Sequence, residues 1–230
     1  MRLPPIQVVP LWTFLVSITL LACAAMDSGF AQTTLVPACS DARLNDVCFI
    51  DTLRGWAVGD RGTVLHTEDG GKTWRVRISD VNCPLRSVWF LDAKIGWAAG
   101  GASEPYTHRG RGVLLRTENG GRSWTPSPYP LPPLRKVRFV DAKNGWALGD
   151  ASAMHPSGLF LSDSSGLAWK PAPGPQGPGW LTADMLDPHT GALAGRGGTT
   201  AAVRLGSVTP TDMPRLGPRN LTQLILVPPV

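Results

Sequence analysis

An all-β fold is predicted for this chain: a β-propeller of four-stranded antiparallel blades, about four blades present, in an incomplete or open ring. Three observations predict it. Glycine (26) and proline (22) are abundant and charged residues are only 17% of the 230, which suits short strands and turns better than long helices. A unit recurs, as "VCFIDTLRGWAVGD" from Val47, "VWFLDAKIGWAAGG" from Val88 and "VRFVDAKNGWALGD" from Val137. Each copy leads into a short apolar run and then a turn ending in tryptophan: "TEDGGKTW" at 67–74, "TENGGRSW" at 117–124 and "SDSSGLAW" at 162–169. Four strands in roughly 40–50 residues is the footprint of one propeller blade, and no segment carries the 3.6-residue period of a helical repeat.

The elements follow in chain order. Residues 1–31 hold Arg2, the apolar run "VVPLWTFLVSITLLACAA" and small residues at Gly29 and Ala31, the layout of a secretory signal cut after Ala31. Lipid attachment at Cys23 and an uncleaved anchor are the alternatives, and all three place the remainder outside the cytoplasm, periplasmic or extracellular. Residues 32–46 are a lead-in. The blades are expected at about 47–79, 88–128, 137–173 and 181–215, with a final strand over 221–230. The fourth is worn: in "LDPHTGALAGRGG" Ala192 stands where the other units have tryptophan, and no tryptophan turn follows. Export leaves Cys39, Cys48 and Cys83. A Cys39–Cys83 disulfide is favoured, with Cys48 packing as a small buried hydrophobe.

The recurrent turn is read as a hairpin between the third and fourth strands of a blade. Asp69 or Asn119 accepts backbone N–H groups two residues ahead, Gly71 and Gly121 supply positive φ, and the hydroxyls of Thr67, Thr73, Thr117 and Ser123 add local bonds. Trp74, Trp124 and Trp169 then fold back against the next blade, each covering about 150–250 Å². Trp56, Trp97 and Trp146 are expected to pack between blades, and Asp51, Asp92 and Asp141 to cap the first turn of each unit.

These turns resemble the Asp-box, or bacterial neuraminidase repeat, Ser/Thr-x-Asp-x-Gly-x-Thr/Ser-Trp. Thr67, Asp69, Gly71, Thr73 and Trp74 match it fully; Asn119 departs from it in the second copy, and Ser164 and Ala168 in the third. The longer string "GWAVGDRGTVLHTEDGGKTW" resembles the propeller family of the photosystem II stability and assembly factor, over roughly residues 44–205. The resemblance implies a propeller that engages a protein client through an arginine-rich patch, although its arginines are not matched here one by one.

In an up-and-down blade the boxes mark one end of the sheets, and the irregular loops gather at the other, where function tends to sit. Those loops and the strand starts beside them carry Arg61, Arg86, His108, Arg109, Arg111, Arg135, Lys136 and His155, a candidate basic patch for a protein client. A net charge of +5 with scattered basic residues does not call for nucleic acid, and a membrane enters only through Cys23 or an uncleaved signal. No cofactor, metal or catalytic residue is predicted. The alternative that the boxes raise is a sialidase-like glycoside hydrolase or a carbohydrate-binding propeller, and sialidase chemistry needs an arginine triad, a tyrosine nucleophile with a glutamate, and an acid. Tyr106 and Tyr129 are the two tyrosines, Glu68, Glu104 and Glu118 the glutamates, and the sialidase Arg-Ile-Pro signature is absent.

Overall fold

The computed structural model describes residues 42–103, 110–177, 179–211 and 220–226. They form four antiparallel four-stranded sheets, each a meander in sequence order. The first holds β1 (Leu44–Phe49), β2 (Gly55–Gly59), β3 (Val64–Thr67) and β4 (Arg75–Arg77). The second holds β5 (Leu85–Phe90), β6 (Gly96–Ser103), β7 (Gly110–Thr117) and β8 (Thr125–Pro126). The third holds β9 (Leu134–Phe139), β10 (Gly145–Gly149), β11 (Leu159–Ser162) and β12 (Lys170–Pro171). The fourth holds β13 (Trp180–Asp187), β14 (Thr190–Gly195), β15 (Thr200–Arg204) and β16 (Ser207–Thr211). The first strands of successive sheets lie against one another, β1 on β5, β5 on β9 and β9 on β13, with no comparable contact between the fourth sheet and the first. This is an open run of propeller blades.

Burial explains the composition of each strand. The second strands, Gly-Trp-Ala-Val-Gly in β2 and Gly-Trp-Ala-Leu-Gly in β10, are buried at every position. They are covered on both faces, so small and apolar residues fill them without alternation. The last strands β8 and β12 are two residues long, exposed, and end in Pro126 and Pro171, which blunts the outer edge against further strand pairing.

The cores lie between sheets rather than within them. One cluster joins Trp56 and Val58 of the first sheet to Val88, Phe90 and Trp124 of the second. Another joins Trp97 and Ala99 to Val137, Phe139 and Trp169. The third joins Trp146 and Leu148 to Trp180, Met185 and Leu193. Trp56, Trp97 and Trp146 thus pack between blades as expected. The glycine before each one also has a task. Phe49, Phe90 and Phe139 pair in register with Gly55, Gly96 and Gly145, and a Cβ there would lie 2.5–2.6 Å from the ring.

The box tryptophans differ from expectation. Trp124 meets Phe90 of its own sheet edge-on at 5.9 Å, and Trp169 meets Phe139 at 6.0 Å. Each indole backs the phenylalanine on which the preceding sheet's tryptophan stacks, so the packing runs toward the preceding blade and not the next. Trp74 meets Phe49 in the same way but stays half-buried.

The chain after β16 also differs. Residues 221–226 form no strand; Leu221 N–H donates to the Gly195 carbonyl and Leu226 N–H to Asp184 Oδ2. Among the candidate residues, Cys39, His108 and Arg109 lie outside the described residues, as do the whole 1–31 segment and Cys23. Cys48 is buried, and Cys83, the other half of the expected disulfide, is half-buried.

Candidate functional site

Each of the first three sheets has a box end and a loop end. At the box end the first and third turns are bonded together: Gly70 N–H to Leu53 O, Gly120 N–H to Lys94 O, and Ser165 N–H to Lys143 O. Asp51, Asp92 and Asp141 cap the first turns, each taking two backbone N–H groups on Oδ1 at 2.7–2.8 Å.

The box itself is closed on its own atoms. Thr67 Oγ1 accepts Gly71 N–H (2.9 Å) and donates to Asp69 Oδ1 (2.8 Å). Asp69 Oδ1 accepts Thr73 N–H (2.9 Å) and Oδ2 accepts the Thr73 hydroxyl (2.6 Å). Asp69 thus reaches four residues ahead, not two, while Thr67 Oγ1 reaches four ahead and also accepts Asp69 N–H, two ahead, at 3.4 Å. These bonds to the charged form, those of Thr73 first, hold the Asp69 carboxyl down at about 2, as bonding to the ionised state must. Asn119 keeps the same geometry, with Ser123 N–H on Oδ1 at 3.0 Å and Nδ2 donating to Ser123 Oγ. Ser164 replaces it in the third copy, accepting Ala168 N–H at 3.0 Å. The side-chain oxygens of Thr67, Asp69, Thr117, Asn119, Ser162 and Ser164 are committed to the turns.

The loop end is where the second turn of a sheet meets the link to the next, as in Gly62 N–H to Cys83 O and Gly112 N–H to Leu131 O. The predicted basic residues with described positions all lie toward this end, and the structure sorts them. Four first strands carry a bulge at the same place: Asn45, Arg86, Arg135 and Leu181 are the extra residues. A bulge re-aims a side chain. Asn45 Nδ2 therefore reaches Leu85 O of the next sheet (2.9 Å), and Arg86 Nη1 likewise reaches Leu134 O (3.4 Å). Arg135 turns instead to Asp150, with Nη2 at 2.7 Å and Nε at 3.1 Å from Oδ1.

Lys136 Nζ donates to Thr182 Oγ1 at 3.2 Å. Burial and then Arg138 push its pKa down. Arg61 and Arg111 are exposed. Arg86 and Arg111 both lie near enough to Cys83 to lower its thiol pKa, but burial outweighs them and raises it.

The loop end also holds a hollow of about 430 Å³ between the second and third sheets. Tyr129 and Pro130 through Pro133 form its wall, and Asp150, Met154 and His155 face them. Met154 is 82% exposed. The His155 ring stands edge-on to Phe160 at 5.1 Å, and its Nδ1 is buried with no protein partner. Arg135 reaches the hollow through Asp150, and Arg111 follows Gly110 on its rim.

Sequence reasoning missed this wall, because "SPYPLPP" reads as a linker until the sheets on either side are placed. It also missed Arg138. That side chain bonds Ser87 Oγ and Val88 O, both at 3.1 Å, lies 3.6 Å from Asp46 and covers the Trp89 ring at 5.0 Å. An arginine in the first strand of the third unit, where the other units have Cys48 and Trp89, was the available signal.

Residues 30–129 match the family described as photosynthesis system II assembly factor YCF48. The photosystem II assembly protein Ycf48 of Thermosynechococcus vestitus is 39% identical over 67 residues, 29% of this chain and 18% of that protein. Among solved structures, YCF48 bound to D1 peptide is similar with a TM-score of 0.56 at 23% identity, over 74% of this chain and 54% of that one. A glycoside hydrolase, GH74 from Niastella koreensis, is similar with a TM-score of 0.54 at 12% identity, over 73% of this chain and 30% of that one. The chain thus spans about half the length of the YCF48 structure and less of the others, and these structural likenesses establish the fold alone. The four sheets make the described residues a run of β-propeller blades, and the Asp-box repeats and the match over residues 30–129 make that part of the chain similar to the photosystem II assembly factor family.

Proposed function

We propose that this chain is an exported, non-catalytic scaffold that holds an extended, acidic segment of a protein client at the loop end of its sheets. The observation that carries the reading is the hollow between the second and third sheets. A tyrosine, a run of prolines and an exposed methionine give it an apolar wall, and Asp150, with Arg135 paired to it, and His155 face that wall, while exposed Arg111 follows Gly110 of the lining in sequence. Apolar walls with a few convergent polar groups are how clefts hold ligands, and basic margins select acidic partners. The match to the YCF48 family supports it, since a member of that family has been solved with a peptide bound. The Asp-box residues Thr67, Asp69 and Thr73, whose side-chain oxygens are committed to the turn, direct attention to the opposite end.

A labelled, extended peptide rich in Asp and Glu should bind the full chain in a salt-sensitive way. The Arg109→Ala/Arg111→Ala double variant should bind it about tenfold more weakly, the scale of a lost charge pair or two. Equal affinity for variant and wild type by fluorescence polarisation, or for a lysine-rich control peptide, rejects the site. Export is checked by sequencing the mature N-terminus: cleavage after Ala31 is expected, and retention of Met1 in a cytoplasmic fraction overturns it.

A further inference from the structure

The third box departs from the other two at one exposed position. Lys72 and Arg122 hold it in the first and second boxes, and Leu167 holds it in the third. Leu167 is 63% exposed. With Gly166 it forms one side of a groove of about 260 Å³ between the second and third sheets, at the box end. The other side belongs to the outer strands of the second sheet, with Leu114 and Arg116 of β7, Pro126 of β8 and Pro128 after it. The equivalent groove between the first and second sheets is smaller, about 140 Å³, and charged. Glu68 and Arg75 line it beside His66, and Arg122 of the second box adds a charge near that ring.

Arg116 is the distinctive side chain. It lies opposite Trp97 in register, where the first sheet has His66 opposite Trp56, and it is only 19% exposed. Its Nη1 is paired with Glu118. Its Nε is buried and has no hydrogen-bond partner among the described residues. A buried charged donor without an acceptor is costly, and an acceptor supplied from the groove removes that cost. Further donors stand nearby. Ser123 Oγ accepts from Asn119 Nδ2, so its own hydrogen is left to donate elsewhere, and Thr125 adds a second hydroxyl to the lining.

Charge, walls and size together fix the class of ligand. Arg116 and Glu118 cancel, so an anion entering the groove meets a carboxylate as well as a guanidinium. A hydroxyl both donates and accepts, so adjacent hydroxyls of one neutral molecule can serve both groups. The two prolines, Leu114 and Leu167 offer apolar surface that C–H groups can cover. The volume is at the small end for a ligand cleft and has room for one ring. We propose that this groove binds a single neutral sugar ring, with its hydroxyls on Arg116 and Glu118 and its C–H face against Leu167 and the prolines. Both walls belong to adjacent described sheets. The groove is at the opposite end from the hollow of the loop end, so either assignment can fail without the other.

The test titrates the full chain with methyl glucoside, methyl galactoside and methyl mannoside in ligand-observed NMR. Saturable binding of at least one is expected, with a Kd of about 1 mM, the scale of one small ring. The uronic acid of the sugar that binds should be weaker. Leu167→Lys, which restores the charged residue type of the first two boxes, should weaken binding about tenfold at an unchanged melting temperature. Arg116→Lys keeps a charge for Glu118 but has no Nε–H fork, and should weaken it as much. A trisaccharide of the same sugar that competes assigns the ring to the end of a glycan, and one that does not assigns it to a free sugar; either upholds the site. No saturation by any of the glycosides at about 50 mM overturns the proposal. So does tighter binding of the uronic acid or of inorganic phosphate, which makes the groove an anion site. Unchanged affinity in both variants also overturns it, since the sugar then sits elsewhere.

Discussion

Asp69 shows how a surface carboxylate acts as a structural part. Its folded pKa, about 2, lies below the usual 3.8. Its contribution to stability is therefore complete above about pH 4 and is lost as pH falls through 2. Asp69→Asn should keep the turn, as Asn119 does in the second box, but be less stable than wild type at pH 7. Denaturant unfolding should show that gap closing between pH 4 and pH 2. A gap that does not change with pH would show that the carboxylate's charge is irrelevant. His66 has the opposite occupation. Its ring stacks on Trp56 at 4.8 Å, and because Arg77 can only donate, Nδ1 is the acceptor of that bond. Burial first, and Arg77 second, lower its pKa and favour the neutral ring. Box residues of this kind were legible in the sequence by type and spacing. The reach of their bonds was not, since a side chain two residues from one N–H is equally close in sequence to several others.

At the scale of the strand, the pairing of phenylalanine with glycine is the constraint that repeats. Gly145→Ala would place Cβ 2.5 Å from the Phe139 ring. Overpacking of that sort costs about 1–3 kcal/mol, read as a lower midpoint in urea at unchanged slope. Gly197 is the control: its φ is +63° but nothing lies within 4 Å of a Cβ there, so Gly197→Ala should cost only about 1 kcal/mol for the left-handed backbone. If Gly145→Ala proves the milder of the two, the ring does not need the glycine. The motif was visible in the sequence, but its reason was not, because the phenylalanine that needs the glycine sits on the neighbouring strand. The first-strand bulges were equally hidden. Nothing local distinguishes Arg86 or Arg135 from its neighbours, and a bulge is settled by how two strands register. That register turns Arg86 from a presumed patch residue into a tie to the next sheet, and pairs Arg135 with Asp150.

For the molecule as a whole, the tryptophans rank by how many sheets they join. Trp97 is fully buried between the second and third sheets, and Trp97→Ala should cost about 3–5 kcal/mol. Trp74 is half-buried on the open face of the first sheet, and Trp74→Ala should cost about 1 kcal/mol. Equal losses in matched unfolding experiments would mean that the first sheet is covered after all. The sequence carried the architecture at this scale because its units repeat, and repetition survives the wear that hides single residues. It carried less of the candidate site, because a hollow belongs to two sheets and its proline wall has no repeat to announce it.

The shared cores have a mechanical consequence. Since each belongs to two neighbouring sheets and none to one sheet alone, a sheet's persistence depends on what stands beside it, as in a row of stacked units coupled only to their neighbours. Among the described residues, interior sheets are clamped twice and the first and fourth once each. Loss of order in this row would therefore travel inward from a sheet clamped once, with each tryptophan acting as the catch that releases the next.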